Sequence, residues 1–238
     1  IGIAAVASMI NAFAAWGATK ILVKHVSRDS SVFQEYWGNA LFVIFCLGGT
    51  LTVVMSFVLP LFIQSSNAFL ISLIFIADLI GLNINQTSVS ALLARDKANI
   101  AAISTSFLGA FKLFAAIALA LVIPDAGINA WAILYSSSTL LSALLAALLV
   151  SHLLGSPKLS FPKIRAELVQ GFYFSISQSS DFINENIDKA MLSSMSTLQG
   201  TGVYGAGSRI AQVFVVPLLS VASATFPRFF RHGASGLR

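Results

Sequence analysis

Charged residues and the side chains of common catalytic and metal sites are scarce in this sequence. Only 10% of its 238 residues are charged, whereas soluble domains have about 25%. Cys46 is the single cysteine, which excludes an intrachain disulfide and a cysteine-based metal site. The three histidines have no carboxylate at metal-ligand spacing, and P-loop, nucleophile-elbow and HExxH motifs do not occur. We therefore expect no enzymatic activity, no metal and no cofactor.

Apolar residues are correspondingly abundant. They make up 57% of the sequence, and the mean hydropathy is +0.86. A helix that crosses a bilayer needs about 20 mostly apolar residues. Stretches of this kind occur at 1–19, 36–59, 69–93, 100–123, 130–151, 168–190 and 203–226. The pattern predicts an all-α fold, a polytopic transmembrane helix bundle of about seven spans. Because the sequence opens inside an apolar stretch, we expect an internal piece of a longer protein.

The basic residues are distributed asymmetrically between the connectors. The net charge is +5 and the pI about 9.6, yet the connectors near 60–68, 124–129 and 196–202 contain no Lys or Arg. Alternate connectors and the tail hold Lys20, Lys24, Arg28, Arg95, Lys97, Lys158, Lys163, Arg165, Arg228, Arg231 and Arg238. Cytoplasmic loops carry such an excess, so we expect residue 1 outside and residue 238 inside. The excess of basic residues thus reflects membrane topology, and we expect no nucleic-acid partner.

Several ionisable residues fall within or at the ends of the predicted spans. They are Asp78, Lys112, Asp181, Glu185, Asp188, Lys189 and Arg209. Such groups are costly in hydrocarbon and usually face a bundle interior or a water-filled cavity. One face of the sixth span, about 100° wide, consists of Ser177, Asp181, Asn184, Glu185 and Asp188. We expect this face to line a water-filled passage, with an interfacial or paired position as the alternative for Asp188 and Lys189.

Asp78 and Lys112 are two lone charges near the middle of the third and fourth predicted spans. One interpretation is a structural ion pair between neighbouring helices, or a Lys112 that extends towards the interface. The other makes Lys112 and Arg209 cationic cavity residues that meet an anionic group of a substrate. Both interpretations predict side chains that face inwards, so the sequence leaves them open.

The sequence also resembles a known family over one specific stretch. Residues 188–210 read DKAMLSSMSTLQGTGVYGAGSRI, and Pro217 and the Ala-Thr-Phe-Pro of 224–227 follow. The second predicted span is entered through Tyr-Trp-Gly-Asn at 36–39. In these features the chain resembles the polysaccharide-biosynthesis flippases, the Wzx-type O-antigen and capsule flippases. They belong to the MOP exporter superfamily, which also contains the MATE exporters and the lipid II flippases.

This resemblance implies a fold and an activity for the chain. Members have twelve or fourteen helices in two lobes around a central cavity. Residues 1–155 would then form most of the N-terminal lobe (helices two to six), 156–167 a cytoplasmic linker, and 168–238 the start of the C-terminal lobe (helices seven and eight). The implied activity is flipping of undecaprenyl-pyrophosphate-linked oligosaccharide across the bacterial inner membrane by ion-coupled alternating access. Residue 1 would be periplasmic.

The same resemblance suggests roles for the polar residues of the spans. Cationic side chains would meet the pyrophosphate, and amides and a phenol would bind the glycan. The candidates for the substrate cavity are Lys112, Lys189, Arg209, Asn184 and Tyr204. A buried carboxylate among Asp181, Glu185 and Asp78 would bind the coupling ion, H+ or Na+. The expected partners are the lipid-linked oligosaccharide, membrane lipids and the glycan polymerase or export machinery.

Two other functions fit parts of the sequence. A multidrug exporter of the same superfamily would favour an acidic, aromatic-lined cavity without a central cation, which Lys112 opposes. A seven-helix receptor matches the number of spans and their orientation, but not the very short loops on both faces. An intramembrane polymerase or acyltransferase would need a sizeable loop or a catalytic His/Arg group outside the membrane, which is missing from this sequence.

Overall fold

The chain folds into a bundle of helices. A computed structural model describes residues 2–62, 68–122, 127–195 and 198–232, and it is 93% helical, without strands in these ranges. The helices are α1 (Gly2–Ala15), α2 (Ala18–Arg28), α3 (Phe33–Phe62), α4 (Ala68–Phe75), α5 (Asn83–Ala94), α6 (Ala98–Val122), α7 (Ile128–Leu154), α8 (Phe161–Met195) and α9 (Leu198–His232). The predicted all-α fold is confirmed.

Five described segments are long and apolar enough to cross a membrane. They are Ser30–Pro60, Ala68–Ala94, Ala98–Leu121, Ile128–Leu154 and Gly202–Ala222. The sequence predicted about seven spans, and the other two, 1–19 and 168–190, correspond to α1 with the first residues of α2 and to α8. The first is interrupted because the backbone of Trp16 and Gly17 is left-handed, with φ of 45° and 65°. The second has 35 residues, but its polar face reduces its hydropathy.

A π-helical segment, Ile76–Leu82, joins α4 to α5 in one continuous helix. Its wide turn lies in the packed interior, since a Cβ atom at Gly81 would be 3.2 Å from the Thr139 side chain of α7. Asp78 lies in this segment and is only 6% exposed. Such π segments occur frequently at functional sites, and this one places the Asp78 carboxylate against α7, where Tyr135 donates a hydrogen bond to it.

One end of the bundle collects the basic connectors, and we call it the basic end. It is formed by α2, the start of α3, the α5–α6 connection and residues 155–171. The segment between α7 and α8 is bound there: Lys158 N donates to Gln34 O at 2.8 Å. Asn39 and Ser160 exchange two hydrogen bonds of 3.1 and 2.8 Å. Since α8 begins at Phe161, the helix-free part of the predicted linker is short; the division into lobes remains a prediction.

Candidate functional cleft and buried polar groups

An open cleft lies between α8 and α9, away from the basic end. It has a volume of about 880 Å³. Its polar wall is formed by Asn184 and Asp188 of α8 and by Tyr204, Ser208 and Gln212 of α9. Apolar side chains of α9 continue the lining, namely Val215, Val216 and Leu219. The cleft therefore offers hydrogen-bonding groups at one end and a hydrocarbon surface at the other.

Tyr204 and Asp188 connect the two walls of this cleft. The Tyr204 hydroxyl donates a hydrogen bond to the Asp188 carboxylate. Asn184 lies one helical turn from Asp188 and is exposed. The structure thus brings together Asn184 and Tyr204, both predicted cavity residues, and places Asp188 between them. The side chains of Asp181, Glu185, Lys189 and Arg209, the remaining candidates on these two helices, lie outside the described part of the structure.

The charges of the predicted third and fourth spans form a separate group around Tyr135 of α7. The Tyr135 hydroxyl donates to Asp78 Oδ1 at 2.6 Å, and Lys112 Nζ donates to the Tyr135 hydroxyl at 3.5 Å. Lys112 Nζ also lies 4.6 Å from the centre of the Tyr135 ring. Because a phenol both donates and accepts hydrogen bonds, Tyr135 links the carboxylate to the ammonium group. A small cavity of about 50 Å³ between α6 and α7 borders Lys112 and Tyr135.

Comparisons with known proteins identify the family. The model of the family described as Polysaccharide biosynthesis protein matches residues 2–232. The chain belongs to this family. It is the family of the Wzx-type flippases of the MOP superfamily, as the resemblance in the sequence implied. No curated protein matches the chain.

A solved structure described as protein A supports the same fold for this family member. The TM-score is 0.67 at 18% sequence identity, and the match covers 100% of this chain and 58% of that chain. At this identity the likeness concerns the fold alone. The chain spans a little more than half the length of that protein.

A buried polar network holds α1, α2, α5 and α7 together. Asn83 Nδ2 donates to Asn11 Oδ1 at 2.6 Å, and Asn85 Nδ2 donates to Ser142 Oγ at 2.7 Å. Thr19 and Thr87 share a hydrogen bond of 2.7 Å between their hydroxyls. Buried polar groups with such partners stabilise helix packing. Asn83, Asn85 and Thr87 of the third predicted span therefore bond neighbouring helices.

Proposed function

We propose that the full-length protein is a flippase that moves undecaprenyl-pyrophosphate-linked oligosaccharide across the bacterial inner membrane, and that it is not an enzyme. The observation that carries this proposal is the family match over residues 2–232. The basic end would face the cytoplasm, in accord with the excess of Lys and Arg in its connectors. The cleft between α8 and α9 would form part of the substrate path.

The lining of the cleft supports this assignment. A lipid-linked glycan has many hydroxyl groups, and Asn184, Tyr204 and Gln212 offer amides and a phenol for them. The isoprenoid chain needs an apolar surface next to that polar wall, and Val215 and Leu219 provide one. A cationic site for the pyrophosphate would be supplied by Lys189 and Arg209, which lie on the same two helices.

The group around Tyr135 supports ion coupling at Asp78. An ionisable residue inside a membrane is expensive and commonly marks an ion or proton pathway. Asp78 is buried, and its described partner Tyr135 bonds Lys112 as well. Binding of H+ or Na+ at Asp78 would change the attraction between this carboxylate and Lys112, and hence the packing of the π segment against α7.

Flipping by the reconstituted full-length protein tests the proposal. Vesicles would contain an undecaprenyl-pyrophosphate disaccharide with a fluorophore, and dithionite would bleach only the outer leaflet. We expect Tyr204→Phe to slow leaflet exchange by about tenfold, since one hydrogen bond to a substrate is worth about 1–2 kcal/mol. Tyr173→Phe, which removes the hydroxyl of an exposed α8 tyrosine outside the cleft lining, should leave the rate unchanged. An imposed ion gradient should accelerate the wild type but not Asp78→Asn.

Two results would contradict the proposal. One is exchange of the labelled lipid no faster than in empty vesicles. The other is export of a small cation such as ethidium by the same vesicles without lipid exchange, which would identify a multidrug exporter of the same superfamily.

A further inference from the structure

Helix α8 is held to the first helices at the basic end by a group of polar side chains. His25 Nε2 lies 2.8 Å from Glu167 Oε1. Lys24 Nζ donates to Gln170 Oε1 at 2.6 Å and lies 4.0 Å from Glu167 Oε2. Two consecutive residues of α2 thus engage one face of α8.

Helix α3 joins the same group. The His25 ring stacks on Tyr36, with ring centroids 4.4 Å apart and planes inclined by 8°. Lys163, one turn before Glu167 on α8, forms an ion pair with Glu35 and lies 5.3 Å from the Tyr36 ring centre. We call these side chains the latch; its members are Lys24, His25, Glu35, Tyr36, Lys163, Glu167 and Gln170.

Next to the latch, α8 touches the break between α1 and α2. Trp16 Nε1 donates to Leu168 O at 2.9 Å, and the backbones of Gly17 and Gly171 approach so closely that neither site has room for a Cβ atom. The second long helix, α9, reaches the same end, where Lys20 Nζ lies 4.4 Å from the Phe226 ring centre. Both α8 and α9 are therefore tied to the first helices here.

Away from this contact, α9 is exposed and a cleft separates it from α8. All described residues of α9 from 210 to 222 are exposed, and the cleft of about 880 Å³ lies between the two helices. Further along α8, the hydroxyls of Ser175 and Ser179 are buried but find no hydrogen-bond partner among the described residues. Unpaired buried hydroxyls weaken an interface, and they regain hydrogen bonds when water enters.

The latch has the character of a reversible contact. Its ion-paired side chains are 17–40% exposed, and pairs of this kind are weak and easily hydrated once separated. The contacts inside the first helices, such as Asn83 with Asn11, are buried and are costly to break. The ion pairs of the latch are therefore easier to break than the buried hydrogen bonds inside α1–α7.

We propose that the latch is the gate of the basic end, closed in this structure, and that it must open for substrate to enter from that side. This inference rests on the proposed function, because only a transporter that alternates between openings needs such a gate. Opening separates α8 from α2 and α3, and the left-handed residues Trp16 and Gly17 lie beside the line of separation.

Reversible cross-linking tests the gate in the full-length protein. In a cysteine-free background, His25→Cys with Glu167→Cys would be joined by a cleavable bis-methanethiosulfonate reagent. We expect the cross-link to stop exchange of the labelled undecaprenyl-pyrophosphate disaccharide and a reductant to restore it. The matched control is Thr19→Cys with Thr87→Cys, a contact inside the first helices, for which cross-linking should leave exchange intact. Unchanged exchange in the cross-linked His25/Glu167 pair would overturn the proposal.

A distance measurement tests the gate independently of the identity of the substrate. Spin labels at positions 25 and 167 should show a short and a long distance, and addition of the undecaprenyl-pyrophosphate disaccharide should change their proportions. Two distances without lipid flipping would retain the gate and reject the proposed substrate. A single short distance under all conditions would show that the latch is fixed architecture and would overturn the inference.

Discussion

His25 is a titratable residue whose surroundings oppose its protonation. Burial lowers the pKa of His25 below its ordinary value, and Lys24 and Arg28 act in the same direction. Glu167 raises this pKa but does not outweigh the burial, and the remaining neighbour, Tyr36, stacks on the ring. The unfolded chain therefore binds a proton more readily than the folded one. The contribution of neutral His25 to the free energy of unfolding is fully present above about pH 6.5, and it falls as the pH drops towards the lowered pKa.

Thermal unfolding of the purified protein between about pH 8 and about pH 5 checks this expectation. The glutamine of His25→Gln does not titrate, so the unfolding temperature of this variant should fall less on the acid side than that of the wild type. His152→Gln, at an exposed histidine of α7, should retain all of it. If the wild type became more stable as the pH fell, attraction to Glu167 would outweigh burial and the stated direction would be wrong.

The group of Asp78, Lys112 and Tyr135 shows which members of a buried polar cluster can be recognised from the sequence. Asp78 and Lys112 are recognisable because charges are rare in apolar stretches. A tyrosine in such a stretch is unremarkable by composition, and its bond to Asp78 joins residues 57 positions apart, beyond any helical periodicity. The sequence thus identified two of the three members, and their link through a phenol required the packing of α7 on the π segment.

At the scale of single elements, the close approach of α1 and α8 depends on glycine. A Cβ atom at Gly171 would lie 2.5 Å from Trp16 O and 2.8 Å from Trp16 Cδ1. Gly171→Ala therefore forces α8 away from the α1–α2 break, at a cost of about 1–3 kcal/mol. We expect a lower unfolding temperature of the purified protein and weaker cross-linking between positions 25 and 167.

Gly109→Ala provides the matched control on α6. A Cβ atom at Gly109 has open space within 4 Å, and alanine is the better helix former by about 1 kcal/mol. This variant should be as stable as the wild type or more so. Equal behaviour of the two alanine variants would contradict the tight α1–α8 contact.

The lengths of the long helices could be predicted where they follow from the lengths of the apolar stretches. Long apolar stretches indicated α3, α6, α7 and α9, because bilayer thickness requires such lengths. The break at Trp16–Gly17 and the π segment Ile76–Leu82 were not predicted. Both depend on contacts with distant helices, Trp16 with α8 and Gly81 with α7. An apolar pattern contains no information about these partners.

At the scale of the whole molecule, α8 and α9 are tied to the first helices at the basic end and are separated from each other by an open cleft further along. Cysteine labelling in cells tests this asymmetry together with the proposed orientation. In a Cys46→Ser background, Asn184→Cys and Gln212→Cys, both in the cleft lining, should react with a membrane-impermeant maleimide applied from the periplasm. Water that fills the polar cleft brings the reagent to them. Leu148→Cys, at an exposed apolar position of α7, should stay unlabelled because it faces lipid. Reaction of the cleft positions only after the inner membrane is permeabilised would reverse the orientation, whereas equal labelling of all three would show that the cleft is not a distinct aqueous space.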